Sequence, residues 1–181
     1  CGSIFVVFRG QQTSVARVPE TVEHSTLSGP WSVSFDPAWG GPQRPVEFTE
    51  LTDWSVHSEP GIRFYSGTAV YRKDLPWNGE TRGLSIDLGE VRELAEVKLN
   101  GRSLGIVWAP PFRVAVPDGA LQKGNNRLEI EVVNFWPNRI IGDAGLPESK
   151  RLTRTNVRQL TSKTKLMKSG LLGPVKILRQ P

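Results

Sequence analysis

Residues 132 to 143, VVNFWPNRIIGD, place Trp136, Asn138, Arg139 and Asp143 directly behind an apolar strand pattern. A tryptophan offers a flat apolar face on which the C–H side of a sugar ring can stack. Asn, Arg and Asp offer planar, often bidentate, partners for its hydroxyls. Trp108 presents a second such face at the end of another apolar segment, just before Pro110 and Pro111. In both places a proline-stiffened segment follows the strand pattern where a tight turn would suffice, and proline lowers the entropy lost on fixing a loop. Trp108, Trp136, Asn138, Arg139 and Asp143 are therefore predicted to gather at one end of the fold as a carbohydrate-binding surface. Both rings could instead plug that end of a packed sheet pair.

Other chemistries find less support. Glycoside hydrolysis needs two carboxylates about 5 to 9.5 Å apart in a cleft, and no pair of acids stands out. Glu96, Glu129 and Glu131 alternate with apolar residues and read as solvated faces, while Asp87, before Leu88-Gly89, reads as a turn residue. His24 and His57 lack the G-x-S-x-G context of a nucleophile elbow, and neither a G-x-G-x-x-G nor a P-loop pattern occurs. One cysteine, Cys1, and two distant histidines cannot assemble a zinc site. No catalytic residue and no metal ligand is assigned, and the chain by itself is expected not to be an enzyme.

The elements that must position these side chains are strands. Leu84, Ile86 and Leu88, then Ala95, Val97 and Leu99, alternate with polar residues, a period of two that buries one face of a strand. Asn100-Gly101 suits both centres of a type I′ turn, so VKLNGRSLGIVW should be a hairpin. RLEIEVVN is the cleanest strand, with Leu128, Ile130 and Val132 inward. SIFVVF, WSVSF, VEFT, GTAVYRKDL, FRVAV and GPVKILR add further candidates. Ala120 and Leu121 are expected to make one helical turn, and no amphipathic helix is evident. Trp31 and Trp54 are assigned to the core and Trp77 to a loop tip. Residues 36 to 62 and 137 to 170 are too long for turns and must wrap the sandwich or face a partner. The expected fold is all-β, a two-sheet antiparallel β-sandwich occupying residues 1 to 181 as a single domain.

A hydrophobic share of 38% with 23% charged residues suits a globular chain and not a disordered one. No apolar run approaches the ~20 residues of a membrane span. The net charge of +5 and the run Lys150, Arg151, Arg154, Arg158, Lys163, Lys165 and Lys168 raise nucleic acid as a partner. Without interleaved aromatics or a docking helix, they are read as a solvated face. Cys1-Gly2-Ser3 is taken as a cut or a scar in preference to a lipidated N-terminus.

SGTAVYRKDL, the long block from IDLGEVRELAEVKLNGRSLGIVWAPPF to RLEIEVVN, and SGLLGPVKIL together resemble the galactose-binding-like jelly-roll domain of family 2 glycoside hydrolases. SIFVVFR and WAPPF…NFWPNRIIGD are similar more closely to the C-terminal domain of family 106 α-L-rhamnosidases, over most of residues 3 to 179. The resemblance implies a jelly roll, a fragment of a larger enzyme, that accompanies a catalytic barrel acting on plant cell-wall or pectic glycans. It implies an extracellular or periplasmic location. It also leaves a structural calcium open, with Asp87, Asp118 and Asp143 as oxygen donors. No catalytic acid or base carries over. The alternative is a domain that buttresses the barrel and binds no sugar.

Overall fold

The computed structural model describes residues 20 to 180. Cys1 and the strand expected at Ile4 to Phe8 lie outside the described residues. Twelve strands are found among the described residues: β1 Val22–Thr26, β2 Trp31–Phe35, β3 Val46–Phe48, β4 Thr68–Trp77, β5 Leu84–Asp87, β6 Glu90–Arg92, β7 Leu94–Leu99, β8 Arg102–Val107, β9 Arg113–Val116, β10 Gly124–Val133, β11 Gly170–Gly173 and β12 Lys176–Arg179. Six form one sheet in the order β3-β2-β4-β10-β7-β8, and four form a second in the order β1-β12-β5-β9; β11 and β6 make a short third pair. The strands within each sheet run antiparallel, so the fold is the expected all-β sandwich.

The period-two pattern explains the core. Val97, Leu99, Leu128, Ile130 and Val132 are fully buried, and they belong to a single hydrophobic cluster drawn from both sheets. Each such side chain contributes roughly 1.5–3 kcal/mol of transfer free energy. The hairpin turns at Asn100 and Gly101, whose φ values of 52° and 79° are those a type I′ turn demands. Trp31 and Trp54 are buried as expected. The Trp54 Nε1–H donates to the Tyr71 hydroxyl at 2.6 Å, and that same oxygen accepts from the Leu171 backbone N–H at 3.2 Å. Burial pushes the Tyr71 phenol well above its usual range.

Three expectations are corrected. Trp77 is no loop tip: it closes β4, buried, with its indole N–H donating to the Glu80 carbonyl at 3.0 Å. Ala120 and Leu121 form a turn held by the Ala120 N–H on the Pro117 carbonyl, not a helical turn. Helices do occur, a short α1 at Pro60–Arg63 and α2 at Pro137–Ala144. The second matters most, because it falls on WPNRIIGD. Pro137 at the first helical position has its φ preset and loses no needed N–H, which is why a strand can stop and a helix start there without a linker.

Candidate functional site

The strand registers place the relevant segments at one end of the six-stranded sheet. Phe35 faces Ala69, Thr68 faces Val133, Val133 faces Leu94, and Ala95 faces Val107. The segments after β2, β10 and β8, and the segment before β4, therefore all leave from the same end. Trp136 follows β10 and Trp108 follows β8, with β7 between them. At ~4.8 Å per strand the two starting points lie about 10 Å apart across the sheet.

Trp136 is 75% exposed and Trp108 is 61% exposed, so neither ring is a buried plug. They do not share a cavity. Trp136 and Arg139 line a depression of about 330 Å³ together with Trp39, Asp36, Asn134 and Thr153. Trp39, 48% exposed, is an aromatic face that the sequence analysis did not single out. Its signal is the run DPAWG: the Asp36 carboxylate accepts the Ala38 N–H at 2.9 Å, Pro37 opens a 3-10 turn, and Gly40 ends it in the left-handed region at φ 79°. The turn is tied to the fold by the Tyr65 hydroxyl, which accepts the Asp36 N–H at 3.0 Å and donates to the Thr68 carbonyl at 2.8 Å.

The polar residues behind Trp136 turn inward. The Asn134 amide donates to the Tyr65 carbonyl and accepts the Gly67 N–H, each at 2.9 Å, fixing the end of β10 to the start of β4. Asn138 is 1% exposed; its amide donates to the Met167 carbonyl at 2.7 Å and accepts the Met167 N–H at 2.8 Å, clasping the returning chain. Asp143, 2% exposed, accepts both the Thr153 backbone N–H and its hydroxyl on Oδ2, each at 2.7 Å. Its Oδ1 lies 2.9 Å from Arg139 Nη2, close enough for strong ionic attraction though not directed as a hydrogen bond. Arg139 is 7% exposed, and its Nε is buried with no hydrogen-bond partner among the described residues. The guanidinium is packed so tightly that a Cβ on Gly142 would sit 2.7 Å from Nη2 and 2.7 Å from Cγ of Phe64.

Trp108 lines a separate groove with Asp87, Glu90, Arg92, Glu93 and Pro110. Asp87 has its expected turn role, accepting the Gly89 N–H at 2.9 Å, and it also pairs with Arg113 at 2.8 Å. The hydrogen bond from Arg92, helped by Lys168, holds the Glu90 carboxyl below its usual range. That is the opposite of what a general acid of glycoside hydrolysis requires. Asp118 is exposed beside Arg82, so each of the three carboxylates named for calcium faces an arginine. No group of three His, Cys, Asp or Glu among the described residues is placed to hold a metal ion. No helix among them is long and apolar enough to cross a membrane.

No protein-family model matches the chain. A protein of Formosa agariphila named "Putative beta-glucuronidase" is 36% identical over 91% of the chain, which spans 16% of that relative. The structure of a rhamnosidase from Novosphingobium sp. PP1Y superimposes with a TM-score of 0.82 and 34% identity, over 92% of the chain and 16% of the rhamnosidase. A beta-glucuronidase from Ruminococcus gnavus shares the fold at 18% identity and a TM-score of 0.60, over 92% of the chain and 31% of that enzyme. The chain thus corresponds to a small part of much longer proteins named for glycoside hydrolysis.

Proposed function

We propose that this chain is a non-catalytic, carbohydrate-binding accessory domain of a glycoside hydrolase, an α-L-rhamnosidase of family 106 with a galactose-binding-like jelly roll, acting outside the cytoplasm on plant cell-wall or pectic glycans. The observation that carries the proposal is the depression between Trp39 and Trp136, two exposed rings on short, internally tied segments with Arg139 in the wall between them. Its volume suits one sugar ring. A ring seated there would stack on indole and find hydrogen-bond partners in the exposed Asp36 and in Arg139, both in the lining. Asn138 and Asp143 act as positioning residues: they hold α2 and the segment around Thr153 in place and do not face the ligand. The likeness to the rhamnosidase at 34% identity supports the family. Glycan titration of the chain and of Trp136→Ala tests the proposal, and the substitution should weaken binding without unfolding the domain.

A second reading has its own observation. Phe135 and Trp108 are also exposed at this end and lie outside the depression. An apolar end of this kind suits a catalytic barrel packed against it, in which case the domain buttresses the enzyme and binds no sugar. Under that reading the titrations show nothing, and Phe135→Ser lowers the stability of the full-length enzyme.

A further inference from the structure

Beside the aromatic depression lies a second one of about 360 Å³, and the two share Thr153 in their walls. Arg151, Arg154 and Arg158 line it. The stretch from 147 to 168 carries seven basic residues and one acidic residue, a formal +6 against +5 for the whole chain, so the basic character of the protein is concentrated on this one segment. Arg154 and Arg158 are exposed and make no hydrogen bond or ion pair among the described residues. The Arg151 Nε–H donates to the Leu146 carbonyl at 2.9 Å, which anchors that side chain at the rim.

Two carboxylates share this wall. Asp143 is already engaged by Arg139 and Thr153, and Glu148 alone remains to offset three guanidinium groups. The Asp143 contacts also fix where the arginines stand, because they tie Thr153, in the middle of the basic run, to the buried face of α2. A guanidinium presents a planar fork suited to carboxylate and sulfate oxygens, and three of them around one depression favour an anion.

We infer that the two depressions form one continuous site for an anionic glycan: a sugar ring stacks against Trp39 and Trp136 while a carboxylate or sulfate group on a neighbouring sugar is held by Arg154 and Arg158. This rests on the carbohydrate-binding proposal above and narrows its ligand to acidic polysaccharide.

The test is titration of the chain with oligogalacturonate, with the same oligosaccharide methyl-esterified to remove its charge, with a sulfated oligosaccharide and with a single-stranded DNA of equal charge. The acidic oligosaccharide should bind about tenfold more tightly than its ester, and the advantage should shrink as salt is raised. Arg154→Ala with Arg158→Ala, both at exposed positions without partners, should erase that advantage and leave binding of the ester unchanged. Trp136→Ala should weaken both. Comparing carboxylated and sulfated ligands tells which anion the site prefers. Equal affinity for acid and ester, with the arginine variant silent, overturns the inference while the sugar site stands. Absence of binding to every oligosaccharide removes the sugar site and the inference with it. DNA binding as tight as that of the acidic glycan and indifferent to Trp136→Ala also overturns it, by reducing the arginines to a general polyanion surface.

Discussion

Trp136 and Trp108 leave the same end of the same sheet, yet their surroundings are built on different principles. Trp136 sits on a helix start whose polar residues are buried and tied to three separate segments: Asn134 to residues 65 and 67, Asn138 to residue 167, Asp143 to residue 153. Trp108 follows an edge strand, and the polar groups of its groove, the pairs Asp87 with Arg113 and Glu90 with Arg92, are partly open to solvent. Buried polar contacts are strong and unforgiving, whereas half-solvated ion pairs contribute little and are screened. The first region is thus a fixed platform and the second a softer rim.

The sharpest way to break this contrast is to remove one carboxylate from each region. Asp143→Ala strands the buried Arg139 guanidinium and frees Thr153, and the loss in denaturant unfolding should reach about 3–5 kcal/mol. If that loss falls below 1 kcal/mol, the platform is no more fixed than the rim.

Next in size is the effect of the rings on binding. Trp136→Ala removes stacking area worth on the order of 1–3 kcal/mol, a roughly tenfold to hundredfold weakening in glycan titration. Trp108→Ala, in a different groove, should leave the same titration unchanged. Equal losses for both rings would join the two regions into one surface.

The partner experiment in the rim is Asp87→Ala. Its ion pair with Arg113 is about a quarter to a third exposed, so unfolding measurements should show a loss of about 1 kcal/mol or less. A loss matching that of Asp143→Ala would erase the distinction.

The smallest expected effect is a pH response confined to the rim. Because Arg92 depresses the folded-state pKa of Glu90, the contact stabilises above the ordinary glutamate value of 4.5 and is lost as the pH falls through the depressed value. Acidification below about pH 4.5 should therefore shift the fluorescence of Trp108, isolated by difference against Trp108→Phe. Glu90→Gln should flatten the response. A response of equal size from Trp136 would mean that the platform also yields to acid.

How much of this was legible in the sequence differs from element to element. The strand alternation named the buried residues of β7 and β10, and Asn100-Gly101 named the turn between β7 and β8, because both signals are local: a period of two and a demand for positive φ need no knowledge of distant chain. Trp39 was passed over although DPAWG carries a cap, a proline and a terminating glycine, since a three-residue 3-10 turn has no periodicity to detect. The helix at Pro137–Ala144 was missed for a related reason: eight residues give only two turns, and its inward polar groups imitate the composition of a loop.

By itself the sequence determined the sandwich, the inward faces of its strands and the presence of an aromatic and polar segment at a strand end, all of which follow from backbone sterics and from apolar spacing over a few residues. Only the tertiary structure decided which of those side chains face out. Asn138 and Asp143 have the chemistry of ligand-binding groups, but their partners, Met167 and Thr153, come from chain that returns past α2. A polar group in a dry place must bond to whatever backbone arrives there. That return also sets Arg139 against Asp143 and carries Arg154 and Arg158 to the edge of the Trp136 depression, a neighbourhood no spacing along the chain encodes.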